Sequence, residues 1–447
     1  MSSHDDHELL ERRAAGLAPS YQLFYDDPVH LVRGEGVWVY DTGGKRYLDC
    51  YNNVPSVGHA HPRVVDALTR QAGMINTHTR YLHENVVELA ERLEASLPGD
   101  LGTCYFVCTG TEANDLAVQI ARTVTGNQGV IVTESSYHGN SDLVGRLSTD
   151  TYPAADRPDW LGVVEPPNLF RGPVGPRPAG VDPGEYCAGF VLEAADRLID
   201  EGHGVATMLV DSSWDSNGVL IAPPDYLTRT SEIVRARGGL MIADEVQSGY
   251  CRMGRHFWGH SHYDITPDIV TIGKPMGAGH PVAAVVTTPE IAAAFAERRN
   301  YFNTFGGNPV SAAVALAVLY VIDDERLLDN ATSTGDTLGL RLGDIADRHE
   351  IVGAVQGRGL FWGLDLVADR ATRRPIAYAD AKRIATGLRH RGILAGVTGR
   401  HSNVLKIRPP LVFQPEHAEL LVGELDTLLD GFELSGGDET KRPGAEW

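Results

Sequence analysis

Short apolar runs alternate with helix-like segments through the middle of the chain, and this alternation constrains the fold more than any other feature. Each run has the length of a buried strand. Such an alternation predicts a mainly parallel sheet that is covered by helices on both faces. The predicted strands are Cys104 to Cys108, Val130 to Thr133, Ala206 to Val210, Leu240 to Ala243, Ile269 to Ile272 and Val282 to Thr287.

Segments on either side of these runs predict further elements. Gly36 to Asp49 predicts a hairpin, because its Asp-Thr-Gly-Gly turn contains glycines that tolerate positive φ angles. Asn85 to Leu97 has the periodicity of an amphipathic helix. The Pro- and Gly-rich stretch Leu161 to Gly189 predicts an ordered surface connection. Later segments predict helices at Pro309 to Ile322, Ala331 to His349 and Glu416 to Leu429, and a strand at Gly359 to Val367.

Charge and hydropathy limit the classes of partner. The chain has 39 Lys and Arg against 59 Asp and Glu, a net charge of -20, and no basic stripe, so we expect no nucleic-acid partner. No apolar run approaches the roughly 18 residues that span a bilayer, and the polar first residues do not resemble a signal peptide. These features predict a cytoplasmic protein without a membrane partner. The five cysteines lack C-x-x-C spacing and predict reduced thiols.

A lysine stands directly after a predicted strand in the segment DIVTIGKPMGAG. Lys274 is one of only five lysines in the chain. Burial at a strand end would lower its pKa and make the amine a nucleophile toward carbonyl groups and a base. A surface lysine in a turn would have the same local sequence, so this segment alone leaves both interpretations open.

A carboxylate follows the preceding strand in the segment GGLMIADEVQS. Because ligands bind beside the carboxyl ends of strands in open α/β sheets, Asp244 and Lys274 could both face one ligand. An amine for a carbonyl carbon and a carboxylate for a pyridine nitrogen are the pair that pyridoxal phosphate (PLP) chemistry requires. Acids after strands also serve as helix caps, so Asp244 alone does not decide between these roles.

Two further segments offer groups that suit a phosphorylated ring. In CYFVCTGTEAND a predicted strand leads through Gly110 and Thr111 into a helix, whose N-terminal amides can hold a phosphate. The same segment contains a capping box from Thr109 to Glu112, which needs no ligand. In SYHG the aromatic face of Tyr137 could stack on a planar ring. Each signal is weak alone and stronger beside the others.

Histidines cluster at two places and raise the alternative of a metal site. His256, His260 and His262 lie close together in HFWGHSHYD, and His59 and His61 lie in GHAH. No carboxylate-rich or thiolate cluster accompanies either group. A solvated loop explains these histidines equally well, so we predict no metal.

Several segments, taken in order, resemble the class III aminotransferase family of PLP enzymes. They are TGTEAND, SYHG, ADEVQSGYCRMG, GKPMGAGHP and YFNTFGGNPVS, and the resemblance extends from about Leu31 to Leu429. It implies an α/β protein of PLP fold type I with a large domain, built on a mainly parallel sheet, and a smaller α+β domain. By this resemblance Lys274 is the Schiff-base lysine, Asp244 is the partner of the pyridine nitrogen, and Gln247 neighbours the ring hydroxyl.

The same resemblance assigns the remaining cofactor contacts. It implies that Gly110 and Thr111 hold the phosphate, that Tyr137 covers the ring face, and that His138 is among the contacts. Thr304 is similar to a threonine that reaches the phosphate of the other subunit's cofactor. The implied assembly is a homodimer with shared active sites.

The resemblance also divides the chain into domains. We expect residues 1–70 to contribute to the small domain and residues 71–322 to form the large PLP-binding domain. Residues 323–432 would form the C-terminal small domain, and residues 433–447 a polar tail.

Four segments are similar to the branch of this family that contains ethanolamine-phosphate phospholyases. They are YLDCYNNVPSVGHAHP, TRYLHENVVELAERL, GKPMGAGHPVAAVVTT and HSNVLKIRPPLVF. This implies a PLP-dependent lyase that eliminates phosphate and ammonia from O-phosphoethanolamine, or a related phosphorylated amine, and leaves acetaldehyde or the corresponding carbonyl product. The chain departs from the family at Asp211, where a Glu is usual, and at Tyr250-Cys251, which replaces a Gly-rich turn.

Two arginines are the candidates for a phosphate-binding cup, and they leave the reaction open. Arg408 is similar to a residue that engages a substrate carboxylate, so an ω-aminotransferase that moves an amino group from a terminal amine to a keto acid is the alternative. Arg80 could equally be a surface or interface cation. Tyr51 and Asn53 are further candidates for substrate contact. A third alternative, a non-catalytic binding protein, would not need Lys274.

Overall fold

The computed structural model describes residues 3–25, 27–172 and 180–436. Its N-terminal part consists of a helix, three strands of a small sheet and two further helices. Strands β1, β2 and β3 pair antiparallel in chain order. The predicted hairpin is confirmed, and its turn is fixed because Asp41 Oδ1 accepts the backbone N–H groups of Gly43 and Lys45, both at 2.9 Å. The predicted amphipathic helix is α3. These elements are α1 (Ser3–Gly16), β1 (Leu31–Glu35), β2 (Trp38–Asp41), β3 (Arg46–Asp49), α2 (Pro62–Ala72) and α3 (Glu84–Ser96).

The central sheet has seven strands in the order β4-β10-β9-β8-β7-β5-β6. In chain order they are β4 (Thr103–Val107), β5 (Gly129–Thr133), β6 (Leu161–Val164), β7 (Val205–Asp211), β8 (Leu240–Asp244), β9 (Ile269–Ile272) and β10 (Ala283–Thr287). Strand β10 runs antiparallel to both of its neighbours, whereas the other neighbouring pairs are parallel. The predicted mainly parallel sheet is confirmed.

Helices bury both faces of this sheet, which explains why its strands are apolar throughout. Val130 and Val132 of β5 lie in the core formed with α4, and Ile131 lies in the opposite core formed with α6 and α7. This follows from the alternation of side chains along a strand. The helices are α4 (Gly110–Thr125), α5 (Asp142–Leu147), α6 (Pro183–Asp200), α7 (Tyr226–Ala236) and α8 (Pro289–Ala296).

The predicted surface connection from Leu161 to Gly189 is wrong at both ends. It begins with strand β6, which pairs with β5 in parallel. It ends inside α6, which starts at Pro183 because Asp182 Oδ1 accepts the N–H groups of Gly184 and Glu185 at 2.9 and 3.0 Å. The proline and glycine between β6 and α6 dominate the composition of this stretch, so the sequence analysis predicted neither the strand nor the start of the helix. Residues 173–179 of this connection lie outside the described residues.

The C-terminal elements form a second, antiparallel sheet in the order β11-β12-β16-β15, and helices pack against it. They are α9 (Pro309–Asp324), α10 (Leu327–Arg348), β11 (Val352–Arg358), β12 (Phe361–Asp369), β13 (Arg374–Pro375), α11 (Tyr378–His390), β14 (Ile393–Leu394), β15 (Gly396–Thr398), β16 (Val404–Ile407) and α12 (Pro415–Asp430). Strand β14 pairs in parallel with β3, so the N-terminal sheet includes a late strand.

The predicted domain boundaries stay a prediction, because neither sheet pairing nor helix bounds test them. Residues 437–447 of the predicted tail lie outside the described residues. Among the described residues, no helix combines the length and the apolar character needed to cross a bilayer.

A close contact within the C-terminal region gives a test of this packing. Gly335 in α10 lies against Gly359, and a Cβ on Gly335 would stand 2.3 Å from the Gly359 carbonyl oxygen. We expect Gly335→Ala to lower the free energy of unfolding by about 1–3 kcal/mol, because the backbone must shift. Gly343→Ala on the same helix is the matched control, since nothing lies within 4 Å of its Cβ position. Denaturant unfolding should show the control to be neutral or stabilised by up to about 1 kcal/mol; equal stabilities would contradict this contact.

Candidate active site

The carboxyl ends of three adjacent strands meet at one cavity of about 350 Å³. Asp211 at the end of β7 is in register with Asp244 at the end of β8, and Asp244 is in register with Thr271 of β9. Lys274 is the second residue after the end of β9, so the sheet brings this amine to the same edge. Seven of the predicted cofactor contacts line the cavity: Gly110, Thr111, Tyr137, His138, Asp244, Gln247 and Lys274.

Asp244 is buried and held by three donors. Its Oδ2 accepts Asn114 Nδ2 and His138 Nδ1, both at 2.8 Å, and its Oδ1 accepts the Val246 N–H at 3.1 Å. Because an ionised carboxylate only accepts, the proton of this histidine contact lies on Nδ1. Together these hydrogen bonds fix the orientation of the carboxylate.

Asn114 is a site residue that the sequence analysis missed. It is 1% exposed, donates to the His138 carbonyl oxygen at 2.8 Å, and accepts Thr271 Oγ1 at 2.6 Å. Its position could have revealed it, because Asn114 lies four residues after Gly110 and therefore on the same face of α4. A polar residue one turn behind a helix N-terminus that faces a ligand is a candidate for contact with that site.

Lys274 carries an amine that is biased toward its neutral form. Burial lowers its pKa, and the positive charge of Arg408 lowers it further, while Asp215 and Asp244 oppose these effects. A neutral amine is the form that attacks a carbonyl carbon or accepts a proton. The local structure therefore supplies the property that the sequence predicted for a lysine after a strand.

The N-terminus of α4 forms another side of the cavity. Thr109 Oγ1 accepts the Glu112 N–H at 3.1 Å, whereas Glu112 Oε2 accepts the N–H of Cys108 at 2.8 Å. The predicted capping box is thus half right, because the acid reaches one residue further back. Gly139 packs on Thr111 with a φ of +141°, and a Cβ there would stand 2.8 Å from Thr111 Oγ1. This leaves the helix N-terminus facing the cavity, where it favours an anion.

A polar network behind the cavity unites the other predicted residues of this region. Gln247 Oε1 accepts Asn53 Nδ2 at 2.8 Å and Arg408 Nη1 at 2.5 Å. Gln247 Nε2 donates to Asp215 Oδ2 at 2.9 Å, and Arg408 Nε donates to the Tyr51 carbonyl oxygen at 3.2 Å. Arg408 therefore reaches the cavity through Gln247.

Two predicted residues lie apart from Lys274 within the chain. Arg80 is exposed, and its guanidinium carbon stands 4.0 Å from the ring centroid of Phe302. Thr304 is also exposed and lies two residues after Phe302. Arg80, Phe302 and Asn303 line a cavity that is separate from that of Lys274. Arg80 thus contacts the segment that contains Thr304, and neither residue lines the cavity of Lys274.

The histidines that raised the metal alternative have protein partners. His262 Nδ1 accepts Arg358 Nη1 at 3.0 Å, and burial, followed by the charge of Arg358, lowers the pKa of His262 to about 4. His260 Nδ1 donates to Glu245 Oε1 at 2.8 Å. These hydrogen bonds hold both rings in place through their Nδ1 atoms.

Asp211 gives a pH-dependent prediction. Burial, followed by the negative charges of Asp244 and Asp215, raises its pKa from 3.8 to about 7. Between these values the folded protein holds a proton that the unfolded chain has released. We therefore expect cofactor-free protein to lose stability through Asp211 as the pH rises from about 4 to about 7, by at most about 1.4 kcal/mol per pH unit.

The variant Asp211→Asn has no carboxyl group to titrate at this position, so comparing it with the parent protein isolates the contribution of Asp211. The free energy of unfolding of the parent protein, minus that of the variant, should fall across this window and level off above it. Denaturant unfolding at several pH values measures the difference. A difference that is constant with pH would contradict a raised pKa at Asp211.

Comparisons with known proteins extend these observations. The family model for class III aminotransferases matches residues 23–429. Ethanolamine-phosphate phospho-lyase homolog 1 of Caenorhabditis elegans is 39% identical over 435 residues, which cover 94% of this chain and 93% of that protein. Alanine--glyoxylate aminotransferase 2-like of Drosophila melanogaster is 40% identical over 423 residues, which cover 93% and 86%.

A solved structure is similar over nearly the whole chain. It is a phospholyase from Arthrobacter in complex with phosphoethanolamine, with 43% sequence identity and a TM-score of 0.90. The similarity covers 95% of this chain and 100% of that one.

Proposed function

The chain belongs to the class III aminotransferase family, and from this premise we propose that it is a phospholyase acting on O-phosphoethanolamine or a related phosphorylated amine. The predicted family, fold type I and PLP cofactor are confirmed. The observation that carries the proposal is the 43% identity to a phospholyase solved with phosphoethanolamine. The buried lysine and carboxylate at one cavity support the same chemistry.

The residues at the cavity fit PLP. Lys274 would hold the cofactor through its amine, Asp244 would face the ring nitrogen, and Tyr137, 42% exposed, offers a ring face. Gly110 and Thr111 at the α4 N-terminus suit a phosphate. When bound, PLP supplies a carbonyl carbon that combines with an amine and a ring that withdraws electrons from the adjacent carbon.

The side chains then divide the work of elimination. Neutral Lys274 accepts the proton from the carbon that bears nitrogen, since burial disfavours its charged form. Asp244, fixed by His138 and Asn114, would keep the ring nitrogen of bound PLP protonated. Phosphate then leaves from the next carbon with the electron pair of the broken carbon–oxygen bond. Water is consumed, and the products are phosphate, ammonia and acetaldehyde.

We also propose that a second copy of the chain completes the site. Large apolar side chains close to Arg80 and Thr304 in the chain are exposed: Leu82 (99%), Phe302 (46%) and Phe305 (70%). Exposed apolar patches of this kind mark interfaces. Because Arg80 stacks on Phe302, a Thr304 segment that reaches the partner's site would place Arg80 beside that site as well.

This arrangement predicts that activity returns when two inactive variants are mixed. We expect Arg80→Ala to lower phosphate release at least about tenfold, since hydrogen bonds to a charged group contribute about 1.5–3 kcal/mol. If Arg80 serves the partner's site, mixed dimers of Arg80→Ala and Lys274→Ala contain one site with both residues intact. Phosphate release should then recover to roughly a quarter of the wild-type value after random exchange of subunits.

The control for exchange carries an affinity tag on the Arg80→Ala subunits alone, and exchange is shown when untagged Lys274→Ala subunits co-purify with them. No recovery from the Arg80 mixture, despite exchange in the control, would place Arg80 in its own subunit's site. Unchanged kinetics of Arg80→Ala alone would remove it from the site altogether.

The second candidate is an ω-aminotransferase. It is favoured by the 40% identity to an aminotransferase-named relative and by Arg408, a buried cation that could hold the carboxylate of a keto acid. Both reactions would use Lys274. They differ in products, because only the lyase liberates phosphate without an acceptor.

One experiment separates the two candidates. Purified PLP-loaded protein is given O-phosphoethanolamine without any keto acid, and phosphate and acetaldehyde are measured. We expect both products in equal amounts. Absence of phosphate, with alanine formed once pyruvate is added, would reject the phospholyase and favour the aminotransferase.

A further inference from the structure

Three carboxylates lie at the carboxyl edge of the central sheet, and two of them have cationic partners in PLP-loaded protein. Asp215 lies 3.1 Å from Lys406 Nζ and 3.5 Å from Arg408 Nη1. Asp244 would face the protonated ring nitrogen of bound PLP. Among the described residues, no Lys, Arg or His forms an ion pair with Asp211, the third carboxylate. A proton held by such a group goes to the carboxylate that lacks a cation.

The hydrogen bonds of Asp211 leave one position for that proton. Its Oδ1 accepts the N–H of Ser213 at 2.9 Å and the Ser213 hydroxyl at 2.7 Å, which occupy both lone pairs. Within the described part of the chain, its Oδ2 accepts the N–H of Asp215 alone, at 2.8 Å. The turn from Asp211 to Asp215 therefore holds the carboxyl group in one orientation and leaves Oδ2 able to carry a proton.

The groups around Asp211 keep this proton in place near neutral pH. Burial, followed by the negative charges of Asp244 and Asp215, raises the pKa of Asp211 to about 7. Tyr263, whose phenol also responds to the charge of Asp211, stays neutral because burial raises its pKa to about 12. Burial lowers the pKa of Lys274 and biases its amine toward the neutral form. The cavity therefore contains an acid as well as a base.

Departure of phosphate from the substrate calls for an acid. Above about pH 6 the phosphoryl group is a dianion. The electron pair of the broken carbon–oxygen bond would make it a trianion, whereas a proton on the bridging oxygen lets it leave as hydrogen phosphate. An acid that is placed to give this proton accelerates such a step by about 100- to 10,000-fold.

Asp211 suits this task better than the other ionisable groups at the cavity. Asp211 and Lys274 line one cavity of about 350 Å³, so a substrate oxygen near the base can be reached by the acid directly or through one water. Burial raises the pKa of the Cys108 thiol and of the Tyr137 phenol, which makes both weaker acids. Burial lowers the pKa of His280, so this ring is neutral near pH 7. A carboxyl group that keeps its proton near neutral pH is the stronger donor.

We propose that Asp211 is a catalytic acid that gives its proton to the bridging oxygen of the phosphoryl group as phosphate leaves. This rests on the proposed phospholyase function and adds a residue to it. The carbon–oxygen bond breaks, its electron pair stays on the oxygen, and an O–H bond forms there. Hydrogen phosphate departs, Asp211 is left ionised, and it regains a proton from solvent before the next turnover. The ammonium form of Lys274 is the alternative donor.

The test compares two substrates that differ in their need for a proton. Sulfate is a far weaker base than phosphate, so its departure from 2-aminoethyl sulfate needs no acid, whereas its departure geometry is the same. Single-turnover release of sulfate and of phosphate is measured on PLP-loaded wild type, Asp211→Asn and Asp211→Glu. Asp156→Asn, which changes an exposed carboxylate, is the matched control. Titration calorimetry with 2-aminoethylphosphonate, which cannot lose phosphate, measures binding separately.

We expect Asp211→Asn to lower phosphate release at least about 100-fold and sulfate release by no more than about threefold. Asp211→Glu keeps a carboxyl group and should restore most of the phosphate rate, and Asp156→Asn should change neither rate. Affinity for the phosphonate should be unchanged in all three variants. Equal losses for the two substrates would mean a structural role and overturn the proposal. Normal phosphate release by Asp211→Asn would assign the proton to Lys274.

The pH dependence gives a second test. Because Asp211 must be protonated to act, the ratio of phosphate release to sulfate release by wild type should fall between about pH 7 and pH 9, by at most about tenfold per pH unit. The ratio cancels the titration of Lys274, which both reactions share. This test decides the matter if Asp211→Asn fails to fold, and a constant ratio would overturn the acid.

Phosphate release alone suffices if 2-aminoethyl sulfate is no substrate. The rate of wild type divided by that of Asp211→Asn should then fall over the same pH range, and a constant quotient would contradict the proposal. Failure of the proposed function has a different signature. Wild type that releases no phosphate at any pH rejects the phospholyase, whereas release that is indifferent to Asp211 keeps the phospholyase and rejects this acid.

Discussion

Lys274→Ala is expected to lower phosphate release by at least about 1,000-fold, because it removes both the amine that binds the cofactor and the base that accepts the substrate proton. The fold should survive, since Asp215 and Asp244 keep their other polar partners. Release is measured at saturating PLP, and circular dichroism checks the fold. Added methylamine should restore part of the rate by entering the vacated space as a base.

Lys274→Arg separates charge from basicity. Arginine carries a positive charge and does not deprotonate in proteins, so this variant should be as inactive as the alanine one. Activity of either variant within tenfold of wild type would mean that another group is the base. A Lys274→Ala protein that retained its full biological role would revive a non-catalytic binding function.

Asp244→Asn is expected to lower the rate by about 100- to 10,000-fold, the range seen when a charge that supports proton transfer is lost. A neutral amide cannot hold the ring nitrogen in its protonated form. Its NH₂ group would also face either the Asn114 and His138 donors or the Val246 donor, and each buried donor left without an acceptor costs about 1–3 kcal/mol. Both activity and stability should therefore fall.

The measurement combines single-turnover rates at saturating PLP with thermal unfolding. Asp264→Asn is the matched control, because Asp264 is exposed and its φ of 52° is one that asparagine tolerates. The control should behave as wild type. A variant Asp244→Asn with normal rate and normal stability would exclude Asp244 as the partner of the ring nitrogen.

The central sheet could be predicted because its signal is local. Strand β9 was predicted with its observed bounds, since a polar residue, Asp268, and Gly273 delimit its apolar run. Strand β6 and the start of α6 were missed because proline and glycine surround a run of only four apolar residues. The side-chain alternation in β6 and the capping residue of α6 were weaker signals than the proline and glycine around them, which predict loops.

The candidate site was predictable in part for the same reason. Lys274 and Asp244 follow strands directly, so the rule that ligands bind at strand ends places them together. The pair of Asp215 and Lys406 could not be inferred in this way, because 191 positions separate them and only tertiary folding makes them neighbours. The cytoplasmic location and the homodimer stay predictions.

The pairing of β3 with β14 bears on how the chain is synthesised. Lys45 beside β3 donates to the His390 carbonyl oxygen, 345 positions later, and Val39 and Tyr47 pack on Leu394. At ribosomal rates of about 5–20 residues per second, this hairpin waits roughly 20–70 s for its partner strand. Its open edge can capture other nascent chains in that interval. Premature termination before Ile393 would leave the edge permanently open, so we infer that truncated chains aggregate through their first 50 residues.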